Sequence, residues 1–176
     1  MQARAVFLDR DGVINKVVFR HGKPTAPRQI AEFEIEPDVE QALRWLRAAG
    51  FKLFVVTNQP DLARGLMAAT SLRVMTDTIM AKLAVDAIRI CPHDDRDACN
   101  CRKPGSAMLV ELAREHDVAL SESYIIGDSW KDTLAGKAAG CTSIILDRCY
   151  NRDDPADHRV PDLNQAVALI LGGRPQ

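Results

Sequence analysis

The sequence predicts an α/β fold: a doubly wound, Rossmann-like parallel sheet covered by helices on both faces. Short apolar runs alternate along the chain with segments in which apolar residues recur at helical spacing, a pattern typical of parallel sheets with helical crossovers. The runs are apolar throughout, as expected for strands buried on both faces. At 176 residues the chain has the size of one domain, so we expect residues 1–176 to form a single unit without a separate cap domain.

The predicted strands and helices follow one another in regular order. Five apolar runs predict buried strands over residues 5–8, 52–57, 87–90, 124–126 and 143–146. The spacing of apolar residues predicts helices over residues 39–46, 72–83, 107–115, 133–139 and 163–171, with Gly50 and Gly140 as stop signals after two of them. Residues 15–37 contain three prolines, so we expect an irregular loop there that is placed to contact a substrate.

The composition excludes several classes of function. Hydrophobic residues make up 47% of the chain and charged residues 27%, which is typical of a globular protein. A formal net charge of −1 argues against general nucleic-acid binding but leaves room for a small anionic ligand. No apolar run approaches the roughly 18 residues that a membrane span needs. Five cysteines cannot all pair within one chain, which favours a reducing compartment, so we expect a cytoplasmic protein. We also expect a monomer that binds neither nucleic acid nor membrane.

Acidic residues follow the first and fourth predicted strands. Asp9 and Asp11 come directly after the first strand, and Asp128 and Asp132 come after the fourth. Because ligands bind beyond the carboxyl ends of parallel strands, we expect these carboxylates to share one site. Close carboxylates repel unless a cation or a proton lies between them, and oxygen ligands of this kind suit Mg²⁺. The alternatives are a solvated turn for the first pair and a helix N-cap for Asp128.

Hydroxyl, amide and cationic groups follow the second and third predicted strands. Thr57 and Asn58 end the second strand and offer groups that can bind a phosphate. Arg102 and Lys103 follow the third strand, and their positive charges can hold a phosphoryl group. The alternatives are a turn that ends the strand and a pair of solvated cations. Together these residues indicate a small phosphorylated metabolite as the ligand.

A cluster of soft metal ligands precedes the two cations. Its members are Cys91, His93, Cys99 and Cys101, all within eleven residues. Three cysteines and one histidine form a closed tetrahedral set that is typical of structural zinc, with no position open for chemistry. The alternative is a group of buried or redox-active thiols. A zinc ion there would organise the loop that delivers Arg102 and Lys103 to the edge of the sheet.

These motifs, in this order, resemble those of the haloacid dehalogenase superfamily over most of the chain. The motifs are Asp9-Arg10-Asp11-Gly12, Thr57-Asn58, Lys103, and Gly127-Asp128 with Asp132. The resemblance implies that Asp9 attacks a phosphate monoester and becomes an aspartyl phosphate, while Asp11 acts as general acid and base. It also implies Mg²⁺ bound by Asp9, by the backbone carbonyl of Asp11 and by Asp128. Thr57 and Lys103 would hold the phosphoryl group.

The cysteine-rich segment is similar to that of a zinc-loop subgroup of the superfamily. That subgroup includes D-glycero-D-manno-heptose 1,7-bisphosphate phosphatases and histidinol-phosphate phosphatases, in which Arg102 would contact the substrate outside the reacting phosphate. The length of the chain favours the heptose enzyme. The segment 17–35 is longer and more basic than the resemblance leads us to expect, which leaves histidinol phosphate as an alternative substrate. A phosphotransferase or mutase, and a zinc-organised binding module without turnover, are further alternatives.

Overall fold

The computed structural model describes residues 2–172 and contains one large sheet and one hairpin. The strands are β1 (Arg4–Leu8), β2 (Val18–Arg20), β3 (Lys23–Thr25), β4 (Phe51–Asn58), β5 (Ala87–Cys91), β6 (Tyr124–Gly127), β7 (Thr142–Leu146) and β8 (His158–Val160). The helices are α1 (Val39–Ala48), α2 (Pro60–Ala63), α3 (Ala69–Lys82), α4 (Ala107–Glu115), α5 (Trp130–Ala139) and α6 (Leu163–Ile170). Within residues 2–172, no helix is both long enough and apolar enough to cross a bilayer.

Six strands form a parallel sheet in the order β5-β4-β1-β6-β7-β8, with helices on both faces. Successive side chains of β4 show the two faces, because alternate residues of a strand point to opposite sides. Leu53 and Val55 pack with α1 and α6, whereas Phe54 and Val56 pack with α4 and α5. All four side chains are fully buried. The predicted fold class is therefore confirmed.

The order in which successive strands are added to the sheet reverses at β1. This strand pairs with β4 on one side and with β6 on the other, although β6 lies far away in the sequence. The backbone N–H of Asp9 donates to the carbonyl of Ile126 at 2.9 Å, which holds the end of β1 beside the end of β6. Ligands bind at such a switch point, so the fold places Asp9 and Asp128 in the expected crevice.

All the predicted strands and helices are present, although α3 and α5 each begin three residues earlier than predicted and several short elements, such as α2 and β8, were not predicted. Helix α5 begins at Trp130, earlier than expected, because Ser129 is its N-cap and Asp132 completes a capping box. Asp128 is therefore not the N-cap. Strand β8 was not predicted, since only Val160 of its three residues is buried and no alternation is visible in so short a segment.

The expectation of an irregular loop over residues 15–37 is wrong for residues 18–25. Strands β2 and β3 pair antiparallel in a hairpin, which turns at His21 and Gly22 with φ of 51° and 73°. Positive φ at both turn positions matches the twist of the flanking strands. Arg20 fastens the hairpin to the following segment by donating to the carbonyl of Ala26 at 2.9 Å and pairing with Glu32.

Candidate active site

A cavity of about 580 Å³ lies at the carboxyl ends of the central strands. Its walls come from the segment after the hairpin, from α2, from the cysteine-rich loop (residues 91–103) and from the start of α5. The lining includes seven residues singled out by sequence: Asp9, Asp11, Asn58, Arg102, Lys103, Asp128 and Asp132. Thr57 is fully buried and does not belong to the lining.

Asp9 is held by two donors on one of its oxygens. Its Oδ1 accepts a hydrogen bond from the backbone N–H of Arg10 at 2.7 Å and lies 2.8 Å from the ammonium nitrogen of Lys103. Burial, together with the negative charges of Asp132 and Asp11, raises the pKa of Asp9 to about 7, although Lys103 opposes the shift. The ionised form of Asp9 therefore needs a cation close by, and without one the carboxyl group tends to bind a proton.

Lys103 lies beneath the carboxylates, and its side chain is only 2% exposed. Its ammonium group donates to the carbonyl of Val56 at 2.7 Å and to Oδ1 of Asp132 at 2.5 Å, in addition to its contact with Asp9. Burial alone would lower the pKa of Lys103, but the charges of Asp132 and Asp9 outweigh it and raise that pKa above its ordinary value. Lys103 is thus a fixed positive charge behind Asp9.

Asn58 positions the backbone that carries Lys103. Its side-chain amide donates to the carbonyl of Lys103 at 2.9 Å and accepts from the N–H of Lys103 at 3.0 Å. Both ends of the amide are engaged in this pairing, which ties the cysteine-rich loop to the end of β4. The role of Asn58 in binding phosphate stays a prediction.

Asp11 is held by three side-chain donors. Its Oδ1 accepts from Asn15 at 2.9 Å and from Arg10 at 3.0 Å, and its Oδ2 accepts from Gln59 at 2.7 Å. The same amide nitrogen of Gln59 also donates to the hydroxyl of Thr57 at 2.8 Å. Gln59 therefore links the predicted acid–base residue to the end of β4.

The carboxylate cluster consists of Asp9, Asp128 and Asp132, whose oxygens lie within 4.8 Å of one another. Oδ1 of Asp132 accepts from Lys103, and its Oδ2 accepts from the hydroxyl of Ser129 at 2.9 Å. With both of its oxygens engaged, Asp132 is a charge partner of Lys103. Asp9 and Asp128 are left to bind a cation, and their hard oxygen atoms suit Mg²⁺.

Asp128 is buried, and the surrounding backbone leaves it little freedom. Burial and the charges of Asp9 and Asp132 raise its pKa well above the ordinary value. The Tyr150 hydroxyl donates to its Oδ2 at 2.5 Å. At Gly12, where φ is +83°, an added Cβ would lie 2.1 Å from this Oδ2, so only glycine permits the close approach of backbone and carboxylate.

The cysteine–histidine cluster comprises four ligand atoms that are also within 4.8 Å of one another; its members are Cys91, His93, Cys99 and Cys101. Sulfur–sulfur distances range from 3.2 to 3.6 Å, far longer than the roughly 2.05 Å of a disulfide. Zinc–sulfur bonds of about 2.3 Å in a tetrahedron place sulfurs about 3.8 Å apart, so the cluster has nearly the size that structural zinc requires. Burial raises the pKa of Cys91 to about 12, so a cation is needed to keep it a thiolate near neutral pH.

Several residues of the site were not identified from the sequence. Tyr150 lies in the segment after β7, where no motif points to Asp128, and Arg28 lies after the hairpin in the stretch expected to be irregular. Gln59 directly follows Thr57 and Asn58, so its position at the end of a strand was a usable signal. The other two reach the cavity only through the tertiary fold.

Residues 15–140 match a family model described as haloacid dehalogenase-like hydrolase. The chain is 37% identical to a D-glycero-beta-D-manno-heptose-1,7-bisphosphate 7-phosphatase of Rhodopseudomonas palustris, covering 77% of this chain and 79% of that protein. It is 34% identical to a D-glycero-alpha-D-manno-heptose-1,7-bisphosphate 7-phosphatase of Campylobacter jejuni, covering 83% of each. A crystal structure of the D,D-heptose 1,7-bisphosphate phosphatase from B. bronchiseptica, complexed with magnesium and phosphate, superposes with a TM-score of 0.83 at 31% identity, covering 97% of this chain and 99% of that chain.

The fold and the site define a phosphoric monoester hydrolase with a carboxylate cluster able to hold a metal ion and a cysteine–histidine cluster able to hold structural zinc. With its family match over most of its length and its relatives above 30% identity, this chain belongs to the haloacid dehalogenase-like hydrolases. The predicted resemblance is confirmed. Membership in a family of hydrolases argues against the alternative of a binding module without turnover.

Proposed function

We propose that this protein removes the 7-phosphate from D-glycero-D-manno-heptose 1,7-bisphosphate. The relatives that share about a third of their residues with it are named for this reaction, on the β-anomer in one case and on the α-anomer in another. The observation that carries the chemistry is the arrangement of Asp9 against the buried ammonium of Lys103, 2.8 Å away, at the mouth of the switch-point cavity. Asp11 lies two residues further on and lines the same cavity.

In the first step, a carboxylate oxygen of Asp9 attacks the phosphorus atom of the 7-phosphate in line with the bond to the sugar oxygen. A new O–P bond forms while the ester bond breaks, and the bonding electrons leave with the sugar oxygen. Asp11 donates a proton to that oxygen, so the heptose leaves as an alcohol. Lys103 opposes the negative charge that gathers beside Asp9, and this positioning and charge stabilisation supply most of the catalysis in phosphoryl transfer.

In the second step, water replaces Asp9 on phosphorus. Asp11, now ionised, takes a proton from the water as it attacks, and the Asp9–phosphorus bond breaks to release inorganic phosphate, which restores the Asp9 carboxylate and the protonated Asp11. Three donors hold Asp11, which keeps its carboxyl group in one place through both proton transfers. Gln59 and Asn15 act here as positioning residues.

Mg²⁺ fits the donor set that Asp9 and Asp128 present, with the backbone carbonyl of Asp11 as a further oxygen ligand. When bound, the metal neutralises charge on the carboxylates and on the phosphate. Zinc fits the cysteine–histidine cluster and would hold the loop that carries Arg102. Thr57, Arg102 and Lys103 are the further groups that we assign to substrate binding, and Asn58 acts through the backbone of Lys103.

Phosphate release from candidate substrates tests the proposal. Both anomers of heptose 1,7-bisphosphate and histidinol phosphate are assayed in parallel, with added Mg²⁺ and without it. We expect Mg²⁺-dependent release from one heptose anomer, with histidinol phosphate turned over roughly 100-fold less efficiently or worse, because the wrong ligand leaves buried polar groups unpaired. Preference for histidinol phosphate would overturn the substrate and keep the chemistry. Transfer of labelled phosphate to a second sugar, in place of release to water, would instead indicate a phosphotransferase.

A further inference from the structure

A bisphosphate places a second phosphate at a distance from the one that is hydrolysed. Binding it requires a cation with free N–H donors on the cavity wall, away from Asp9, and arginine meets this need because its planar fork matches a phosphate. Three arginines line the cavity, each from a different segment: Arg28, Arg64 and Arg102. They differ in how many of their donors are already engaged.

Two of these arginines are largely used within the protein. Arg64 presents its Nε and Nη2 to the carboxylate of Asp94 in a bidentate pair. Arg102 donates from Nε to Asp95 at 2.7 Å and from Nη1 to the carbonyl of His93 at 3.3 Å. These contacts brace the cysteine-rich loop and its neighbour α2. Among residues 2–172, they leave Arg102 only its Nη2 for the substrate contact assigned to it above.

Arg28 is held differently. Its Nε donates to Oδ2 of Asp61 at 2.7 Å, and its backbone N–H donates to Glu32 at 2.8 Å. Among the residues from 2 to 172, neither terminal nitrogen of Arg28 has a hydrogen-bond partner. The Asp61 side chain is only 9% exposed and comes from α2, so it provides a firm anchor behind the guanidinium group. Arg28 therefore combines a fixed orientation with two free donor groups in the cavity.

We infer that Arg28 binds the phosphate that is not hydrolysed and so sets the preference for a bisphosphate over a monophosphate. The inference rests on the proposed function. Asp61 acts as a positioning residue, because it fixes the one guanidinium nitrogen that does not face the ligand. The segment after the hairpin, which carries Arg28, is thereby a specificity element of this chain.

The test compares heptose 1,7-bisphosphate with heptose 7-phosphate, which lacks the second phosphate. For Arg28→Gln we expect kcat/KM on the bisphosphate to fall roughly 10- to 100-fold, mostly through KM, because a charge-assisted pair of hydrogen bonds is lost. Activity on the monophosphate should stay within about 3-fold of the unaltered protein. Arg28→Lys, which keeps the charge but loses the fork, should fall between the two. Thermal unfolding confirms that each variant is folded.

Arg20→Gln is the matched control, since Arg20 lies in the same segment and pairs with Glu32 but does not line the cavity. It should leave the preference for the bisphosphate unchanged. Equal losses on both substrates, no loss on either, or the same loss in Arg20→Gln would each overturn the inference. Failure of the proposed function is seen separately: the unaltered protein would then hydrolyse neither heptose phosphate with Mg²⁺, and the inference would fall with it.

Discussion

The carboxylate cluster and the cysteine–histidine cluster are both sets of metal ligands, but the chain builds them in opposite ways. Asp9 and Asp128 follow β1 and β6 and lie more than a hundred residues apart in the sequence. The cysteine–histidine cluster lies within eleven consecutive residues that begin at Cys91, the last residue of β5. The first is held by hydrogen bonds of the central sheet and by a buried lysine, whereas the second depends on a loop that closes on itself.

This difference indicates what holds the ligand atoms of each cluster in place. Parallel strands hold the carboxylates together even though burial, together with the negative charges of Asp132 and Asp11, raises the pKa of Asp9 to about 7. Burial is also the largest cause that raises the pKa of Cys91, and a hydrogen bond with the backbone of His93 opposes it only in part. We therefore expect the carboxylate cluster to persist without metal, and the cysteine–histidine cluster to lose its arrangement when its metal is removed.

Asp9→Asn is expected to have the largest effect. Turnover should fall by at least about 10³-fold because the amide cannot attack phosphorus. When both are free of Mg²⁺, the variant should unfold at a higher temperature than the unaltered protein, since it lacks one buried negative charge that neighbouring carboxylates repel. Steady-state kinetics and thermal unfolding measure the two changes. Asp77→Asn, an exposed aspartate on α3, is the matched control and should change neither.

Cys101→Ser tests the second cluster, with an intermediate effect. Metal analysis should show zinc in the unaltered protein and its loss in the variant, with kcat/KM reduced roughly 10- to 100-fold because the loop carrying Arg102 loses its support. Calorimetric affinity for Mg²⁺ should stay within about 3-fold. Cys149→Ser, an exposed cysteine outside the cluster, should retain zinc. A parallel loss of Mg²⁺ affinity in Cys101→Ser would contradict the independence of the two clusters.

Tyr150→Phe tests whether the hydroxyl of Tyr150 orients Asp128 in the carboxylate cluster. Without the hydroxyl that donates to Asp128 at 2.5 Å, the carboxylate loses an orienting contact. We expect Mg²⁺ to bind about 5- to 10-fold more weakly, corresponding to roughly 1 kcal/mol for one hydrogen bond to a charged group. Isothermal titration of the metal measures this affinity directly. Tyr124→Phe, whose ring packs against Phe51, is the control, and unchanged affinity in Tyr150→Phe would exclude an orienting role.

The smallest expected effect is that the stabilisation of the folded protein by Mg²⁺ depends on pH. Because the pKa of Asp9 is about 7 when folded and 3.8 ordinarily, the folded state binds more protons than the unfolded state between these values. The free energy of unfolding of the magnesium-free protein should therefore fall as pH rises through this window and level off above it. Mg²⁺ competes with the proton and relieves that loss, so it should raise the melting temperature more at about pH 8 than at about pH 5.5.

Thermal unfolding after dialysis against magnesium-free buffer measures this difference without a chelator that would also strip zinc. Equal stabilisation by Mg²⁺ at the two pH values would contradict the expectation, because it would show that the carboxylates are already ionised at the lower pH. The shift should be smaller in Asp9→Asn, which provides the control within the same experiment, because only Asp128 is then left to exchange a proton for the metal.

The sequence predicted the parts of the fold that have a periodic signal. Helix α4 was predicted within its observed bounds, and the five longer strands were found within two residues of their ends, because buried apolar runs are long enough to read. The hairpin was missed, since its two strands have three residues each and one contains Pro24. Its stability comes from cross-strand pairing and from Arg20, and neither is visible along the chain.

The candidate site shows the same division. Asp9, Asp11 and Lys103 were recognised because each lies beside a motif at the end of a strand, and all three line the cavity. The contact of Asn58 with phosphate stays a prediction, and the structure adds that its amide pairs with the backbone of Lys103. A local pattern identified this residue without indicating the partner that a distant segment supplies.

By itself, the sequence determined the fold class, the motifs at the strand ends and the compact set of soft ligands, because each depends on residues that are close in the chain or on the repeat of buried positions. Only the tertiary structure decided which groups share one volume. The reversal of strand order at β1 brings Asp128 beside Asp9, the segment after β7 brings Tyr150 to Asp128, and α2 orients Arg28 through Asp61. Such contacts depend on the packing of distant segments, which hydrophobic periodicity and motif spacing do not encode.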